Sequence, residues 1–542
     1  MKHINPAEVY ASNEVTNNAG GISFSVDNWN KLDRFLILGA EAGTYYASPR
    51  KNAEHSTKSV SACIKEDGIR VVKRVVEVSD QGLAPKNDQA IFVLALALKE
   101  GNPETKSFAK SVINKVVRTA SHLTQFVEYS SKLRGWGRAL RTGVSNWYSE
   151  IGRKDPSDNE GNLSALVYQL MKYANRNGFT QRDILRLCHV HPTNELQSTL
   201  FNWICHPDNM PSLPSYDNRD KLIAISEELY KYAAAKQLDK HDENSVIELV
   251  TKYRLPHEVI PTSMRNSSKV WQALLDAGMP LNALIRNLGK LSQLGLTDQF
   301  SENTNKICDT FRNEEYIRKS RIHPINVLNQ KKGYEIGCSM GGLEWKVNPK
   351  IVEALEDMFY LSFGNVESTG KNIVLALDVS GSMTVSGITG MNLRAHEVTA
   401  AMAMATLRAE RNCMITAFSD DYIELPINSR MSLNEVLRVT SDCSFGGTDC
   451  ALPMIEARNQ RRNVDSFVIY TDNETWAGGR YTPAKALKEY KEKMDKPDSK
   501  MIVVATSCSD FTIADPNDPL HQLDIAGFSS AVPGIISWFI GK

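Results

Sequence analysis

Proline and glycine are sparse in this 542-residue chain, at 21 and 32 residues, which excludes a collagen-like or Pro/Gly-rich disordered polymer. Cysteine is scarce too. The nine residues are odd in number, scattered and without a CxxC pair, so neither a disulfide framework nor a zinc ribbon is expected. Reduced thiols of this kind suit the cytoplasm. No apolar run nears the roughly 20 residues of a membrane span: the longest are Ala90–Leu98 and Ile373–Leu377. The opening MKHINPAEVY has no apolar signal-peptide core, so a soluble, intracellular chain without membrane partners is expected. Net charge is also missing, with 63 Lys/Arg against 63 Asp/Glu, which at first sight excludes a polybasic nucleic-acid binder. What is present, 42% hydrophobic and 23% charged residues, is the make-up of ordered globular protein. The length exceeds the ~250–300 residues at which one core stops growing, so several domains or an extended repeat are expected.

Two periodicities divide the chain. From Asn17 to Ser368 apolar residues recur at helical spacing, as in Asn28–Gly39, Gln89–Lys99, Lys106–Val117, Leu163–Asn175, Asp220–Ala235, Ser268–Ala277 and Leu281–Gln293. Helices in series without interposed strands predict stacked helix pairs, a divergent solenoid with no fixed repeat consensus. From Lys371 short apolar runs at 373–379, 413–419, 466–472 and 501–507 alternate with helices at Leu393–Glu410, Ser432–Thr440, Leu452–Asn459 and Pro483–Met494. That alternation predicts a doubly wound α/β domain over 371–542, joined by a linker around Gly364–Lys371. Residues 1–16 are left as an N-terminal arm.

The zero net charge is a sum of opposites. From Lys371 onward 17 basic residues face 21 acidic ones, leaving an excess of four negative charges there and four positive charges before it. Within Lys106–Lys154 ten Lys/Arg meet only Glu128 and Glu150, the natural place for a polyanion.

The run LALDVSGSM puts Asp378, Ser380 and Ser382 directly after an apolar strand, where open α/β sheets present their ligand crevice. Gly446-Gly447-Thr448-Asp449 offers a further hydroxyl, and Asp472, at the end of SFVIYTD, a further carboxylate. Oxygen-only donors of this kind suit a hard divalent cation such as Mg²⁺. DVSGS, then GGTD, then a strand ending TDNET resemble the metal-ion-dependent adhesion site of von Willebrand factor A domains. The resemblance implies Ser380, Ser382 and Thr448 as direct ligands, Asp378 and Asp472 acting through water, and one position open to a partner's carboxylate. No general base or nucleophile accompanies the site. Ser380 stands where a HAD-type phosphatase needs its second carboxylate, and no Walker A or GxGxxG motif precedes a helix, so no enzyme is expected.

Two basic segments stand out in the helical half. In KLRGWGRALRTGVSNWY, 132–148, Arg138 and Arg141 share a helix face opposite Leu140, Val144 and Trp147. In LMKYANRNGFTQRDILRLCHVHP, Lys172 and Arg176 are spaced i, i+4, and after Gly178 a helix carries Arg182, Arg186 and His189. Such rows can neutralise phosphates, although a solvated helix face reads the same way. Both segments, with VTNNAGGISFSVDNWNKLDRFLILGAEAGTYY at 15–46, MPLNALIRNLGK at 279–290 and YTDNETWAGG, resemble the Ro 60 kDa ribonucleoprotein family, over essentially the whole chain. The resemblance implies a TROVE module at 17–368 built as a ring of HEAT-like helical repeats, closed by the A-like domain. It further implies small noncoding Y RNAs on a basic outer surface and single-stranded 3′ ends of misfolded or decaying RNAs in a central hole. Lys172, Arg176 and His189 match the Y RNA-binding positions. Arg138 and Arg141 lie in the matching GRALR run, either facing RNA or holding the ring together. The polar GRKDPSDNEGN at 152–162 departs from the family pattern and lengthens a loop beside that surface.

The competing expectation is an adhesion-type interaction module that captures a protein carboxylate, for instance from an exoribonuclease, without specific RNA function. Cys188, His189, His191, Cys205 and His206 fit no common zinc spacing and read as core thiols beside solvent histidines. Trp136, Trp147, Trp203, Trp271 and Trp345 read as packing residues.

Overall fold

The computed structural model describes all residues except 1–12, 40–48, 212–225, 321, 340, 364–367, 388–392, 444–445, 508 and 530. Most of the N-terminal arm, the first part of the Asp220–Ala235 segment and half of the proposed linker therefore lie outside the described residues.

The chain enters as a hairpin, β1 (Glu14–Thr16) and β2 (Ile22–Ser25), before any helix forms. Helices then follow one another to Leu361. Asn28–Leu38 starts at an Asp27 cap, whose side chain accepts from the Asn30 N–H, and Asp88–Glu100 is buried from Gln89 to Leu98. A helix apolar all round must be wrapped on every side. Its partners here are Pro49–Gln81, Pro103–Ser111 and Ala120–Arg134.

One helix was not expected from sequence, and three expected ones shift in detail. Pro49–Gln81 is a 33-residue helix with non-helical backbone at Asp67, where polar residues blur the periodicity. Lys106–Val117 is two helices, Pro103–Ser111 and Ile113–Val116, meeting at Val112. Leu281–Arg286 and Leu288–Gln293 likewise divide at Asn287. Asn159–Lys172 ends before Arg176, which sits instead in β3 (Asn175–Arg176), paired with β4 (Phe179–Thr180) across a turn at Asn177 and Gly178. Lys172 and Arg176 are thus not on one helix face.

The array closes on itself. Asn326, in helix Pro324–Glu335, donates to the Pro85 carbonyl in the turn before Asp88–Glu100 (3.1 Å), and His323 is buried at that junction. Both ends also grip the C-terminal domain. At the start, buried Arg34 donates to the Ser509 and Phe511 carbonyls (2.6 and 2.8 Å) and to Asp524 (2.7 Å). At the end, Lys332 pairs with Glu397 (2.6 Å), and buried Lys331 reaches Glu335, Glu356 and Asn434.

The C-terminal domain contains β5 (Ile373–Asp378), β6 (Cys413–Phe418), β7 (Tyr422–Glu424), β8 (Ser466–Thr471), β9 (Lys500–Ala505) and β11 (Gln522–Ala526), in the order β11-β9-β8-β5-β6-β7. All neighbours are parallel except edge strand β7. β5, β8 and β9 are buried throughout, which is why each reads as a continuous apolar run. Strand order reverses between β5 and β8, so their carboxyl ends flank the topological switch point. The short strand β10 (Phe511–Thr512) leaves this sheet and pairs with β2, joining the chain's beginning to its last domain.

Candidate metal centre and basic surface

Asp378 closes β5, and its carboxylate is fully buried. The Ser380 N–H donates to Asp378 Oδ1 (2.9 Å) and the Thr471 hydroxyl to Oδ2 (2.6 Å). The Ser380 and Ser382 hydroxyls lie 3.1 Å apart, Ser382 on the first turn of the short helix Gly381–Val385. Asp472 follows β8; its Oδ1 accepts from the Glu474 N–H (3.1 Å), while Oδ2 is buried without a hydrogen-bond partner. Asn473 takes the left-handed conformation, φ 68°, that turns the loop back, a conformation Asn tolerates. The Thr448 carbonyl accepts from the Trp476 and Ala477 N–H groups (2.8 and 2.9 Å), fastening the third loop to the second. Gly446 serves close approach: a Cβ there would fall 1.8 Å from Asp420 Oδ1.

The five residues expected from sequence therefore stand at one end of the sheet, each at most 4% exposed. Burial, then the neighbouring Asp472, push the Asp378 carboxyl up to about 7, and burial raises Asp472 as well. The other groups acting on them are hydroxyls and amides. Two buried carboxylates, an orphaned Oδ2 and an oxygen-only donor set fit a hard divalent cation better than no ligand at all.

Sequence reasoning missed how this centre is held. The β1–β2 turn lies across it: Asn17 donates to the Thr475 carbonyl (2.6 Å), Asn18 to Glu474 Oε1 (2.8 Å) and the Ala19 N–H to Glu474 Oε2 (3.1 Å). A Cβ on Gly21 would lie 1.8 Å from the Thr475 oxygen, so only glycine fits that position. The signal was present as NNAGG between alternating residues, a hairpin pattern.

On the helical half, Arg138 and Arg141 are exposed on helix Arg138–Glu150, whose Val144 and Trp147 are buried as expected. That helix packs on Gln181–Cys188, Arg141 acts electrostatically on Cys188, and Trp136 meets Phe179 edge-on at 5.9 Å. The structure thereby joins the two basic segments. Arg176, Arg182, Arg186 and His189 are exposed, His189 as a left-handed helix cap, and among the described residues none of these four, nor Arg138 or Arg141, makes an ion pair. Lys172 differs. It is half-buried, 3.5 Å from Glu258, with Tyr168 and Tyr173 nearby. Burial opposes its charge, but Glu258 and the tyrosines outweigh that and hold its pKa above the ordinary value. Loop 152–158 leans on this region through Arg153, which donates to Thr193 (3.2 Å). Among the described residues no three His, Cys, Asp or Glu side chains converge, at Cys188, His189, His191, Cys205 and His206 or elsewhere. Nor is any described helix long and apolar enough to cross a membrane.

A closed helical array clamped at both ends to a von Willebrand A-type domain defines a two-part class of protein, and the comparisons narrow it. Residues 15–336 match the model of the TROVE domain, and 372–540 match that of the Ro60 vWA domain. The chain belongs to the Ro60 family. It is 33% identical to the RNA-binding protein RO60 of Deinococcus radiodurans, over 99% of this chain and 98% of that one. It is 32% identical to the RNA-binding protein RO60 of Caenorhabditis elegans, over 97% and 90%. The crystal structure of the Deinococcus radiodurans RO (RSR) protein superposes with a TM-score of 0.70 at 32% identity, covering 95% of this chain and 99% of that one.

Proposed function

We propose that this chain is the RNA-binding protein of a cytoplasmic Ro-type ribonucleoprotein. It holds small noncoding Y RNAs on its basic face and single-stranded 3′ ends of misfolded or decaying RNAs in the ring, in RNA stabilisation and quality control. The observation that carries the reading is the exposed set Arg138, Arg141, Arg176, Arg182 and Arg186, gathered from two segments and without ion-pair partners among the described residues. Uncompensated arginines on one face release counterions when phosphates bind. The names of both relatives support the RNA class.

The A-type domain adds a Mg²⁺ site in this reading. Ser380, Ser382 and Thr448 would hold the ion directly and Asp378 and Asp472 through water. Bound there, the ion supplies a charge that captures a carboxylate from a partner protein such as an exoribonuclease. No catalytic step is included: labelled RNA incubated with the protein and Mg²⁺ should stay intact on a denaturing gel.

Fluorescence anisotropy with a labelled Y-type stem-loop tests the RNA reading. The double variant Arg176→Ala, Arg182→Ala should bind roughly tenfold more weakly and lower the salt slope by about two. Unchanged affinity at fixed salt would refute the assignment. The orphaned Asp472 Oδ2 favours an adhesion role alongside; Asp378→Ala should abolish capture of the partner and leave stem-loop binding intact.

A further inference from the structure

Three cavities differ in their charge. One of about 620 Å³ beside β1 and helix Pro483–Met494, and one of about 710 Å³ at the opposite end of the sheet from Asp378, both carry several acidic side chains. The third, about 390 Å³, lies among helices Asn159–Lys172, Gln181–Cys188, Glu195–Cys205 and Glu227–Lys236 and is lined by Arg182, Lys236 and Lys240 with no carboxylate. None of the three cations has an ion-pair partner among the described residues. Arg182, Lys236 and Lys240 are exposed residues; the Lys236 ammonium lies 5.4 Å from the Tyr232 ring centre, and the groups packed around it lower its pKa. An ammonium set into a concave wall without a carboxylate is a standing site for an anion.

The apolar wall is also incomplete. Trp203 and Tyr232 are 5% and 4% exposed, yet among the described residues neither the indole N–H nor the phenol O–H has a hydrogen-bond partner. Some buried aromatics elsewhere in the chain are satisfied, Trp147 donating to the Val117 carbonyl (2.7 Å), Trp271 to that of Arg265 (2.9 Å) and Tyr148 to Gln181, whereas the Tyr360 and Tyr470 hydroxyls are buried without a partner. Buried Trp and Tyr ordinarily find such partners. Two donors without partners among the cavity-lining residues, with three unpaired cations beside them, suit a ligand bearing ring acceptors and an anionic group.

We infer that this cavity takes one nucleotide, its base against Trp203 and Tyr232 and its phosphate among Arg182, Lys236 and Lys240. The volume lies at the lower end of the ~300–1,000 Å³ typical of small-ligand sites. Arg182 belongs both to the cavity and to the exposed basic face, so a base turned out of a strand on that face has a short path inward. The inference rests on the RNA-binding reading to that extent. A free nucleotide offers the same chemistry.

Photolabelling of the full chain with two probes separates these sources: a ten-residue single-stranded RNA containing 8-azidoadenosine, and 8-azido-AMP alone. Labelled peptides are mapped by mass spectrometry, and decamer affinity is measured across a salt series. Label is expected on the segments bearing Trp203 or Tyr232. Lys236→Ala and the packing-conservative Trp203→Phe should each cut labelling at least fivefold and weaken decamer binding about five- to tenfold. Lys236→Ala should also reduce the salt slope by about one. Circular dichroism confirms that both variants fold, as expected for an unpaired cation and a like-shaped ring. Label from the decamer alone identifies a strand base as the ligand; label from both probes with the same variant dependence identifies the free nucleotide. A chain that binds stem-loop RNA but labels elsewhere, with both variants unchanged, overturns the cavity and spares the RNA reading. Labelling by 8-azido-AMP without any stem-loop binding does the reverse.

Discussion

Without a cation, Asp378 and Asp472 confront each other in a site closed to water, so neutralising one carboxylate should stabilise the metal-free protein. The perturbation is Asp378→Asn. Lifting a buried carboxyl from an ordinary value of about 3.9 to about 7 corresponds to roughly 4 kcal/mol of unfavourable ionisation at pH 8. Asparagine keeps one carbonyl acceptor where the carboxylate offered two, to the Ser380 N–H and the Thr471 hydroxyl, and losing one bond returns about 1–2 kcal/mol. The net gain is about 2 kcal/mol, or roughly 4–8 °C in the melting of a domain this size. Because the folded pKa is raised, the native carboxyl is stable relative to the unfolded chain below about pH 4, and that advantage is lost as pH rises through about 7. Calorimetric scans of both proteins in chelator at pH 4.5 and 8, then with Mg²⁺, provide the comparison. The variant should melt higher than the parent at pH 8 in chelator, lose less between the two pH values and respond weakly to Mg²⁺. A variant that melts at or below its parent in chelator at pH 8, or gains as much from Mg²⁺, would refute the account of these two carboxylates.

Arg34→Ala strands Asp524 and two buried carbonyls and should cost about 3–5 kcal/mol in urea melts, with Arg34→Lys recovering only part because an ammonium cannot replace the guanidinium fork. Burial drives His323 down to about 3, below its unfolded value, so its contribution is present above about pH 6.5 and is lost as pH falls, by about 1.4 kcal/mol per pH unit. His323→Asn keeps the acceptor that caps helix Pro324–Glu335 and should flatten that acid slope; an unaltered slope between pH 4.5 and 6.5 would place the acid-sensitive group elsewhere.

The candidate site was legible because strand-end chemistry is local: DVSGS, GGTD and TDNET each carry their oxygens within a few residues of a buried strand. The four strands that read as short apolar runs, β5, β6, β8 and β9, were legible for the same reason. β7, β10 and β11 were not, since they are short or half-exposed and owe their existence to neighbours far along the chain. Arg176 shows the limit on the helical side: its spacing from Lys172 fits a helix, but Asn177 and Gly178, both at positive φ, make a turn instead. Lys172 looked like a phosphate ligand from its row, and only the fold reveals Glu258 beside it.

The pairing of β2 with β10 joins residues about 490 positions apart, Ser25 with Phe511. At a synthesis rate of ~5–20 residues per second, roughly 25–100 s separate their exit from the ribosome. Throughout that interval β2 has a bare edge and Arg34 lacks the carbonyls it will bind. Assembly of the two halves is therefore a late event in the life of the nascent chain, and a chain cut short before β10 would leave its opening hairpin exposed as a mark of incompleteness.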